Sequence, residues 1–160
     1  MITIRKMTVS EYEEFYRRSF AHHVLELMEQ LDMSKEDAEK ETAEELASML
    51  PDGMDTADNH LMSIVDDNGV QAGFIWTLHE YNGDVKQSFL CDIEVYEPYR
   101  RRGCAAAAVG LMEEFARNEG CSESVLFVAD DNTAANALYE KCGYSFLRRM
   151  EYGRYMKKSL

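Results

Sequence analysis

The stretch Phe89–Gly120 decides the fold, and it reads FLCDIEVYEPYRRRGCAAAAVGLMEEFARNEG. Its first residues alternate with a period of two, which predicts a β-strand with two distinct faces. One face carries Phe89, Cys91, Ile93 and Val95, and the other carries Asp92 and Glu94. Pro98 ends the strand, since proline has no N–H to donate to a neighbouring strand. Arginines, a glycine and four alanines follow, and apolar residues then recur at helical spacing.

The turn between this strand and the helix has the features of an anion site. The first turn of a helix has unpaired N–H groups and a partial positive charge, so it binds anions readily. Gly103 and Ala105 leave room for a ligand against the backbone, and Arg100–Arg102 add formal positive charge. We therefore interpret Arg100–Ala106 as a phosphate cradle, and we use that name below.

Two sequence blocks together resemble a known family. The pattern Arg100-x-x-Gly103-x-Ala105 is similar to the acyl-CoA signature of the GNAT N-acetyltransferases, R/Q-x-x-G-x-G/A. Asn132–Tyr144 resembles the family's N-x-x-A-x-x-L-Y-x-K-x-G-F segment, with tyrosine in place of the final phenylalanine. The blocks occur in the family's order, and one strand's length of sequence separates them. The chain is identified on these blocks as a GNAT member.

The resemblance implies a fold and an activity. The fold is α/β, a mixed and mostly antiparallel sheet of about six to seven strands with a parallel central pair and helices on both faces. We expect one domain over residues 1–160. The implied reaction moves an acetyl group from acetyl-CoA to a primary amine of a small molecule or peptide by direct attack, without a metal. A homodimer is compatible with the resemblance, although nothing in the sequence specifies one.

The resemblance also assigns cofactor contacts. The pantetheine arm would run along the strand edge at Ile93 and Val95, with the Val95 N–H as oxyanion donor. The pyrophosphate would lie on the cradle residues Arg100, Arg101, Arg102, Gly103, Cys104, Ala105 and Ala106. In the helical pair near the N-terminus, acceptor contacts would come from Tyr12, Phe15, Tyr16, His22 and His23.

The last helix offers a geometric argument of its own. Asn132, Asn136 and Tyr139 are spaced i, i+4 and i+7, so they fall on one face within roughly 60° of each other. Such a polar stripe suits contacts to pantetheine amides, although Asn132 is equally suited to cap the helix. By resemblance, Tyr139 is the general acid for the CoA thiolate, and packing is its structural alternative. The base is open between Glu94, Asp92 and no side chain at all.

Charge and composition bound the remaining functions. The formal net charge of −13 argues against sequence-independent nucleic-acid binding and favours either solubility or steering of a cationic amine. No apolar run is long enough to cross a bilayer, and the first residues lack a signal-peptide core, so we expect a cytoplasmic protein without membrane partners. The four cysteines show no metal-ligand spacing, which predicts reduced thiols and no metal site.

Two other functions remain as alternatives. One is a GNAT-fold protein that binds acyl-CoA without catalysis, as a sensor or interaction module. The other is a doubly wound nucleotide-binding domain, against which the absence of G-x-G-x-x-G and of a Walker lysine counts.

Local signals complete the predicted order of elements. Ser10-x-x-Glu13 predicts a capping box at the first helix, and Ser34-x-x-Asp37 predicts a cap at the second. Asn68-Gly69 and Asn82-Gly83 predict tight turns between three antiparallel strands. Ser124–Ala129 predicts a strand parallel to the one before the cradle.

Overall fold

The computed structural model describes residues 1–160, which form seven strands and four α-helices. The strands are β1 (Thr3–Lys6), β2 (Asn59–Val65), β3 (Gln71–Asn82), β4 (Val85–Val95), β5 (Glu123–Ala129), β6 (Ser145–Arg149) and β7 (Gly153–Ser159). The helices are α1 (Val9–Leu31), α2 (Lys35–Met49), α3 (Cys104–Asn118) and α4 (Thr133–Lys141). The chain divides into two compact units: Met1–Lys6 with His60–Leu160, and Met7–Asn59.

The first unit holds a single sheet with strand order β1-β2-β3-β4-β5-β7-β6. The β4–β5 pair is parallel, because α3 carries the chain across before it re-enters the sheet. The pairs β1–β2, β3–β4, β5–β7 and β6–β7 are antiparallel. The predicted mixed α/β sheet, with its parallel central pair, is therefore confirmed.

The helices α3 and α4 supply part of the core of this unit. Residues of both helices pack with inward-facing residues of the sheet, and the buried cluster comprises Ile64, Ala72, Ile75, Leu90, Ala108, Val109, Met112, Leu126, Val128, Tyr139, Tyr144 and Met156. On α3, Val109, Met112 and Ala116 are buried, as the helical spacing predicts. No helix of the chain combines the length and the apolar character needed to cross a membrane.

The turn between β3 and β4 differs by one residue from the prediction. Asn82 still belongs to β3, where it pairs with Val85, so the two-residue loop is Gly83-Asp84 rather than Asn82-Gly83. Gly83 has a φ of 64°, a conformation that glycine adopts without steric cost. The turn from β2 to β3 lies where the sequence predicted it: Gly69 N–H donates to the Asp66 carbonyl, and Asp66 N–H to that of Val70.

The second unit is built on α1 and α2, and the predicted start of α1 is wrong by two residues. Thr8 caps the helix, and the capping box pairs Thr8 with Glu11 instead of Ser10 with Glu13. The predicted Ser34 cap of α2 is confirmed, since its hydroxyl accepts from the Asp37 N–H. Val24, Leu27 and Ala38 form the buried contact between the two helices, with Phe20, Met28 and Met33 around them.

One ion pair joins α1 to α2 beside this contact. His23 Nε2 lies 2.7 Å from Glu45 Oε2, and His23 Nδ1 lies 3.7 Å from Glu26 Oε2. The Glu26 and Glu45 carboxylates raise the pKa of His23 to about 10. The imidazole is therefore a cation at neutral pH, and it links the two helices electrostatically.

Replacing His23 with glutamine is expected to lower the free energy of unfolding in a pH-dependent way. Because the folded pKa of His23 lies above its ordinary value of 6.5, its contribution is complete below pH 6.5 and is lost as pH rises through about 10. We expect a loss of about 1 kcal/mol near pH 6, since Glu45 is half exposed and the pair is screened. Urea unfolding of both proteins between pH 6 and pH 11 measures this difference.

The control is Lys35→Gln, which removes the exposed Lys35–Glu39 pair on α2. That variant should change the free energy of unfolding by a few tenths of a kcal/mol. A loss at His23 that stays constant over the whole pH range would contradict the account of the ion pair.

Candidate active site

The parallel ladder between β4 and β5 ends before either strand does. It pairs Gln87–Leu90 with Glu123–Leu126, whereas β4 continues to Val95 and β5 to Ala129. The remaining residues of β5 pair on their other side with β7. The sheet is therefore open between the ends of β4 and β5, and we call this gap the strand opening.

A β-bulge in β4 lies at the start of the strand opening. Thr77 of β3 pairs with Leu90, but the next residue, Trp76, pairs with Asp92, so Cys91 is the extra residue. A bulge increases the local twist of its strand and re-aims the side chains that follow it. The divergence of β4 from β5 directly after Leu90 is consistent with that extra twist.

The predicted alternation along β4 holds from Asp92 to Val95 but is wrong across the bulge. Cross-strand partners share a face, and Thr77 and Ile75 of β3 are opposite Leu90 and Ile93. Ile93 therefore lies on the same face as Leu90, which is the face that α3 and α4 cover. Phe89, predicted to share a face with Ile93, lies on the opposite face. That second face, which also carries Asp92 and Glu94, is called the carboxylate face below.

The backbone of Val95 is directed into the strand opening. The Tyr96 N–H donates to the Ala72 carbonyl at 2.8 Å, so Tyr96 uses its amide on the β3 side. The N–H and C=O groups of successive residues point alternately to the two edges of a strand. Val95 therefore directs its N–H and C=O away from β3. The Arg100 Nε donates to this Val95 carbonyl at 2.9 Å. The sequence-predicted oxyanion donor thus has an orientation that suits its role.

The phosphate cradle connects β4 to α3 through two left-handed residues. Arg101 has a φ of 62° and Gly103, the N-cap of α3, a φ of 77°. No side chain caps α3, and its first turn carries no acidic residue. A Cβ built at Gly103 would have no atom within 4 Å, so the approach to the backbone N–H groups in the first turn of α3 is open. Positive charge and open amides make this turn suited to an anion.

Tyr99, which sequence reasoning did not single out, anchors the approach to the cradle. Its hydroxyl donates to Asp66 Oδ2 at 2.9 Å. The other oxygen of Asp66 accepts from the N–H groups of Asn68 and Val70 in the β2–β3 turn. The segment before the cradle is therefore tied to the hydrogen-bonded β2–β3 turn. The signal in the sequence was a tyrosine next to the strand-ending proline.

The polar stripe of α4 is largely engaged within the protein. Asn132 Oδ1 accepts from the Ala135 N–H at 3.1 Å, so this residue caps the helix. Asn136 Nδ2 donates to the Ala129 carbonyl at 2.9 Å, and Arg154 donates to Asn136 Oδ1. These bonds fix the start of α4 against the end of β5.

Tyr139, the third member of the stripe, is buried and lies edge-on to the Tyr144 ring, with ring centroids 5.9 Å apart. Burial raises the pKa of its phenol, and the charge of Asp92 on β4 and of Cys142 adds to this. The influence of Asp92 places Tyr139 within electrostatic reach of the strand opening. A phenol with this pKa remains protonated at neutral pH and retains its proton for donation.

Asp92 and Glu94 lie side by side along the carboxylate face. Asp92 pairs with Trp76 and Glu94 with Phe74, and both aromatic residues are buried. Each carboxylate is itself half-buried. The structure therefore brings both candidate bases to the same edge of the opening as the Val95 backbone, one on each side of Ile93.

The candidate acceptor residues of α1 have different environments. Phe15 is fully buried, which fits a packing role, and His22 is exposed. Tyr12 lies near Phe15 and Tyr16, with ring centroids 5.8 and 6.2 Å away. Burial, and then the charge of Tyr16, raises the pKa of Tyr12. His23 is engaged by the two glutamates described above.

Gly73 allows β3 to approach the end of β4 closely. A Cβ at this position would overlap the carbonyl oxygen of Glu94 and lie 3.0 Å from the Val95 Cα. Gly73→Ala is therefore expected to lower the free energy of unfolding by about 1–3 kcal/mol, because the backbone beside the opening must move. Chemical denaturation measures the loss.

Gly110→Ala is the matched control for this glycine. Gly110 lies within α3, where an added Cβ meets nothing within 4 Å. Alanine there should stabilise the protein by roughly 0.5–1 kcal/mol. Equal changes in the free energy of unfolding for Gly73→Ala and Gly110→Ala would contradict the close approach at Gly73.

Comparisons with known proteins identify relatives of this chain. The model of the acetyltransferase (GNAT) family matches residues 11–144. The uncharacterised N-acetyltransferase YdgE of Bacillus subtilis (strain 168) is 27% identical over 143 residues, covering 89% of this chain and 91% of that protein. The crystal structure of YycN, a putative acetyltransferase from Bacillus subtilis, superimposes with a TM-score of 0.87 at 26% identity, covering 94% of this chain and 96% of YycN.

A more distant structure shares the fold. The PaiA N-acetyltransferase from Thermoplasma acidophilum, solved in complex with coenzyme A, matches with a TM-score of 0.73 at 18% identity, over 100% of this chain and 99% of PaiA. The family match spans both compact units, and it includes the strand opening, the cradle and α4. The chain belongs to the acetyltransferase (GNAT) family.

Proposed function

We propose that this protein transfers an acetyl group from acetyl-CoA to a primary amine of a small molecule or peptide. The observation that carries the proposal is the strand opening, which leads to an uncapped helix N-terminus preceded by three arginines. An extended ligand with amides at one end and phosphates at the other fits this arrangement. Coenzyme A has that form, and the relative PaiA was solved with it.

We infer the cofactor contacts from the positions of the cradle and the strand opening. The N–H groups of Cys104, Ala105 and Ala106 at the start of α3 would receive the pyrophosphate, and Arg100–Arg102 would add charge attraction. Backbone groups of Ile93 and the carbonyl of Val95 would pair with the amides of the pantetheine arm, which leaves the Val95 N–H for the thioester oxygen. Asn132 and Asn136 contribute by fixing the wall of the opening, since both side chains are engaged within the protein.

The chemistry needs three groups around the thioester. The amine nitrogen forms a C–N bond to the acetyl carbon, and the C–S bond breaks. The Val95 N–H would stabilise the negative charge that develops on the thioester oxygen. Asp92 or Glu94 would take the amine proton, directly or through water, and Tyr139 would protonate the leaving sulfur. The products are an acetylated amine and free CoA thiol.

One N-acetyltransferase domain would cover residues 1–160. The family match begins in α1 and ends after α4, and this extent supports the proposal. Acceptor contacts from Tyr12 and Tyr16 stay a prediction from the family resemblance. The sequence alternative, a module that binds acyl-CoA without turnover, is separated from catalysis by the experiment below.

Release of free thiol from acetyl-CoA, measured with a panel of primary amines, tests the proposal. We expect amine-dependent thiol release together with an acetylated product in mass spectrometry. Binding of acetyl-CoA with no turnover for any amine of the panel would favour the non-catalytic module. Absence of both binding and turnover would contradict the assignment of the cradle.

A further inference from the structure

Four aromatic side chains form a continuous ladder on the carboxylate face. Phe89 and Phe127 both contact Tyr155, with ring centroids 6.3 and 5.4 Å apart, and Phe127 also meets Tyr152 edge-on at 5.5 Å. All four are half-buried, so each ring is in part accessible. We call Phe89, Phe127, Tyr152 and Tyr155 the aromatic ladder.

The ladder lies on the same face as the two candidate bases. Phe89 comes before Asp92 and Glu94 on β4, and the register across the bulge directs all three to one side of the sheet. Phe89 pairs with Val125 of β5, so Phe127, two residues further on, shares this side. Phe127 belongs to the part of β5 that diverges from β4. Carboxylates on β4 and a phenylalanine on β5 therefore flank the strand opening from opposite edges.

The position of the Phe127 ring is fixed by its neighbours. A Cβ at Gly153 would run into this ring, so the glycine provides the space in which it packs. Tyr152 and Tyr155 hold the ring from two other directions. A rigid aromatic surface binds an apolar group without losing much side-chain entropy.

The charges around the ladder favour one kind of ligand. Asp92 and Glu94 attract an ammonium at the strand opening. At the far side, the Arg148 guanidinium lies over the Tyr155 ring, 4.9 Å from its centroid. A second positive charge on the ligand would therefore be repelled by Arg148. An apolar or aromatic group meets complementary rings instead.

We propose that the acceptor is a primary amine with a single positive charge and an aromatic or bulky apolar substituent, bound by the aromatic ladder. The inference rests on the proposed function, because it places the amine at the strand opening beside the acetyl group. Phe127, at the edge of the strand opening, determines specificity for this class of acceptor. Linear polyamines, which carry several charges joined only by short methylene chains, are the class that the aromatic ladder disfavours.

The test compares 2-phenylethylamine with putrescine as acceptors. We expect kcat/KM for 2-phenylethylamine to exceed that for putrescine by at least about tenfold. Phe127→Leu keeps an apolar side chain but removes the ring, and it should lower kcat/KM for 2-phenylethylamine by about tenfold. Phe146→Leu is the matched control. Phe146 is an exposed phenylalanine of β6, and its partner Met156 belongs to the buried core on the other face of the sheet. Its replacement should leave kcat/KM for both amines unchanged.

Binding is measured separately, by calorimetry of 2-phenylethylamine with the CoA-bound protein. Amine binding that Phe127→Leu weakens, without any acetyl transfer, would support the ladder and contradict the catalytic proposal. Acetyl transfer with putrescine equal or preferred would overturn the ladder and leave catalysis standing. A preference for 2-phenylethylamine that Phe127→Leu and Phe146→Leu affect equally would also overturn it.

Discussion

Replacing Tyr139 with phenylalanine is expected to lower kcat for amine acetylation by about 10²- to 10⁴-fold, the range that a positioned general acid contributes. The change removes only the hydroxyl from a buried ring, so packing against Tyr144 is retained. Steady-state thiol release at saturating acetyl-CoA measures kcat. The stabilisation of the variant by acetyl-CoA should equal that of the wild type.

The matched control is Tyr144→Phe. Tyr144 is also buried, but its hydroxyl is 2.6 Å from the Ser124 hydroxyl and bonds to Glu113, inside the core. We expect this variant to lose stability by about 1–3 kcal/mol, because buried partners lose a hydrogen bond, while kcat changes little. A Tyr139→Phe kcat within twofold of the wild type would contradict the acid role.

The pH dependence of kcat offers a second check on Tyr139. Burial raises the pKa of this phenol above its ordinary value of 10.0. A general acid acts only while protonated, so loss of the Tyr139 proton would lower kcat only above pH 10. Below pH 10, the pH profile of kcat should have the same shape in the wild type and in Tyr139→Phe. A decline at neutral pH that disappears in the variant would contradict the raised pKa.

Replacing Lys158 with methionine is expected to destabilise the protein by about 3 kcal/mol, near the lower end of the range for breaking a buried ion pair. Lys158 Nζ lies 2.7 Å from Glu113 Oε1 and donates to the Cys142 carbonyl. The Glu113 side chain is only 4% exposed, so its carboxylate would be left buried without its cation. Equilibrium urea unfolding measures the loss.

The double variant Lys158→Met/Glu113→Met separates the pair from simple packing. Apolar residues of similar size commonly replace a buried ion pair at little cost, so most of the lost stability should return. A double variant as unstable as Lys158→Met would show that the lysine acts through other contacts. A loss below about 1 kcal/mol in the single variant would contradict the burial of the pair.

Local signals in the sequence predicted the order of the elements, because each depends on neighbouring residues. The strand before the cradle, the helix after it and the Ser34 cap all rest on short-range patterns. The errors are of the same local kind. Thr8-x-x-Glu11 and Ser10-x-x-Glu13 both fit a capping box, and the structure forms the first of them. The β3–β4 register decides that Asn82 remains paired.

Local sequence patterns do not predict the bulge at Cys91. The sequence alternates cleanly through Cys91, and only the pairing of Trp76 with Asp92 shows that one residue is extra. The consequence is functional, since the extra residue puts Ile93 on the face of Leu90, and Asp92 and Glu94 on the face of Phe89. The strand opening likewise depends on a register between β4 and β5, which single-strand periodicity does not contain.

The buried carboxylate of Glu113 was missed although a signal existed. Its spacing from Val109, Met112 and Ala116 places it on the apolar stripe of α3. A charge on a buried stripe needs a partner, and that partner, Lys158, lies 45 residues away in the sequence. The aromatic ladder was missed for a similar reason, because its four rings come from β4, β5, β7 and the turn before β7.

The stability of the protein with and without acetyl-CoA tests the central claim most directly, in the wild type and in Gly103→Asp and Gly103→Asn. Both substitutions tolerate the left-handed backbone at this position and differ mainly in charge. Acetyl-CoA at about 100 times its Kd should stabilise the wild type by about 2.7 kcal/mol. Gly103→Asp should abolish this stabilisation, and Gly103→Asn should retain part of it. No stabilisation of the folded wild type at millimolar acetyl-CoA, or equal stabilisation of all three proteins, would contradict the phosphate cradle and the function built on it.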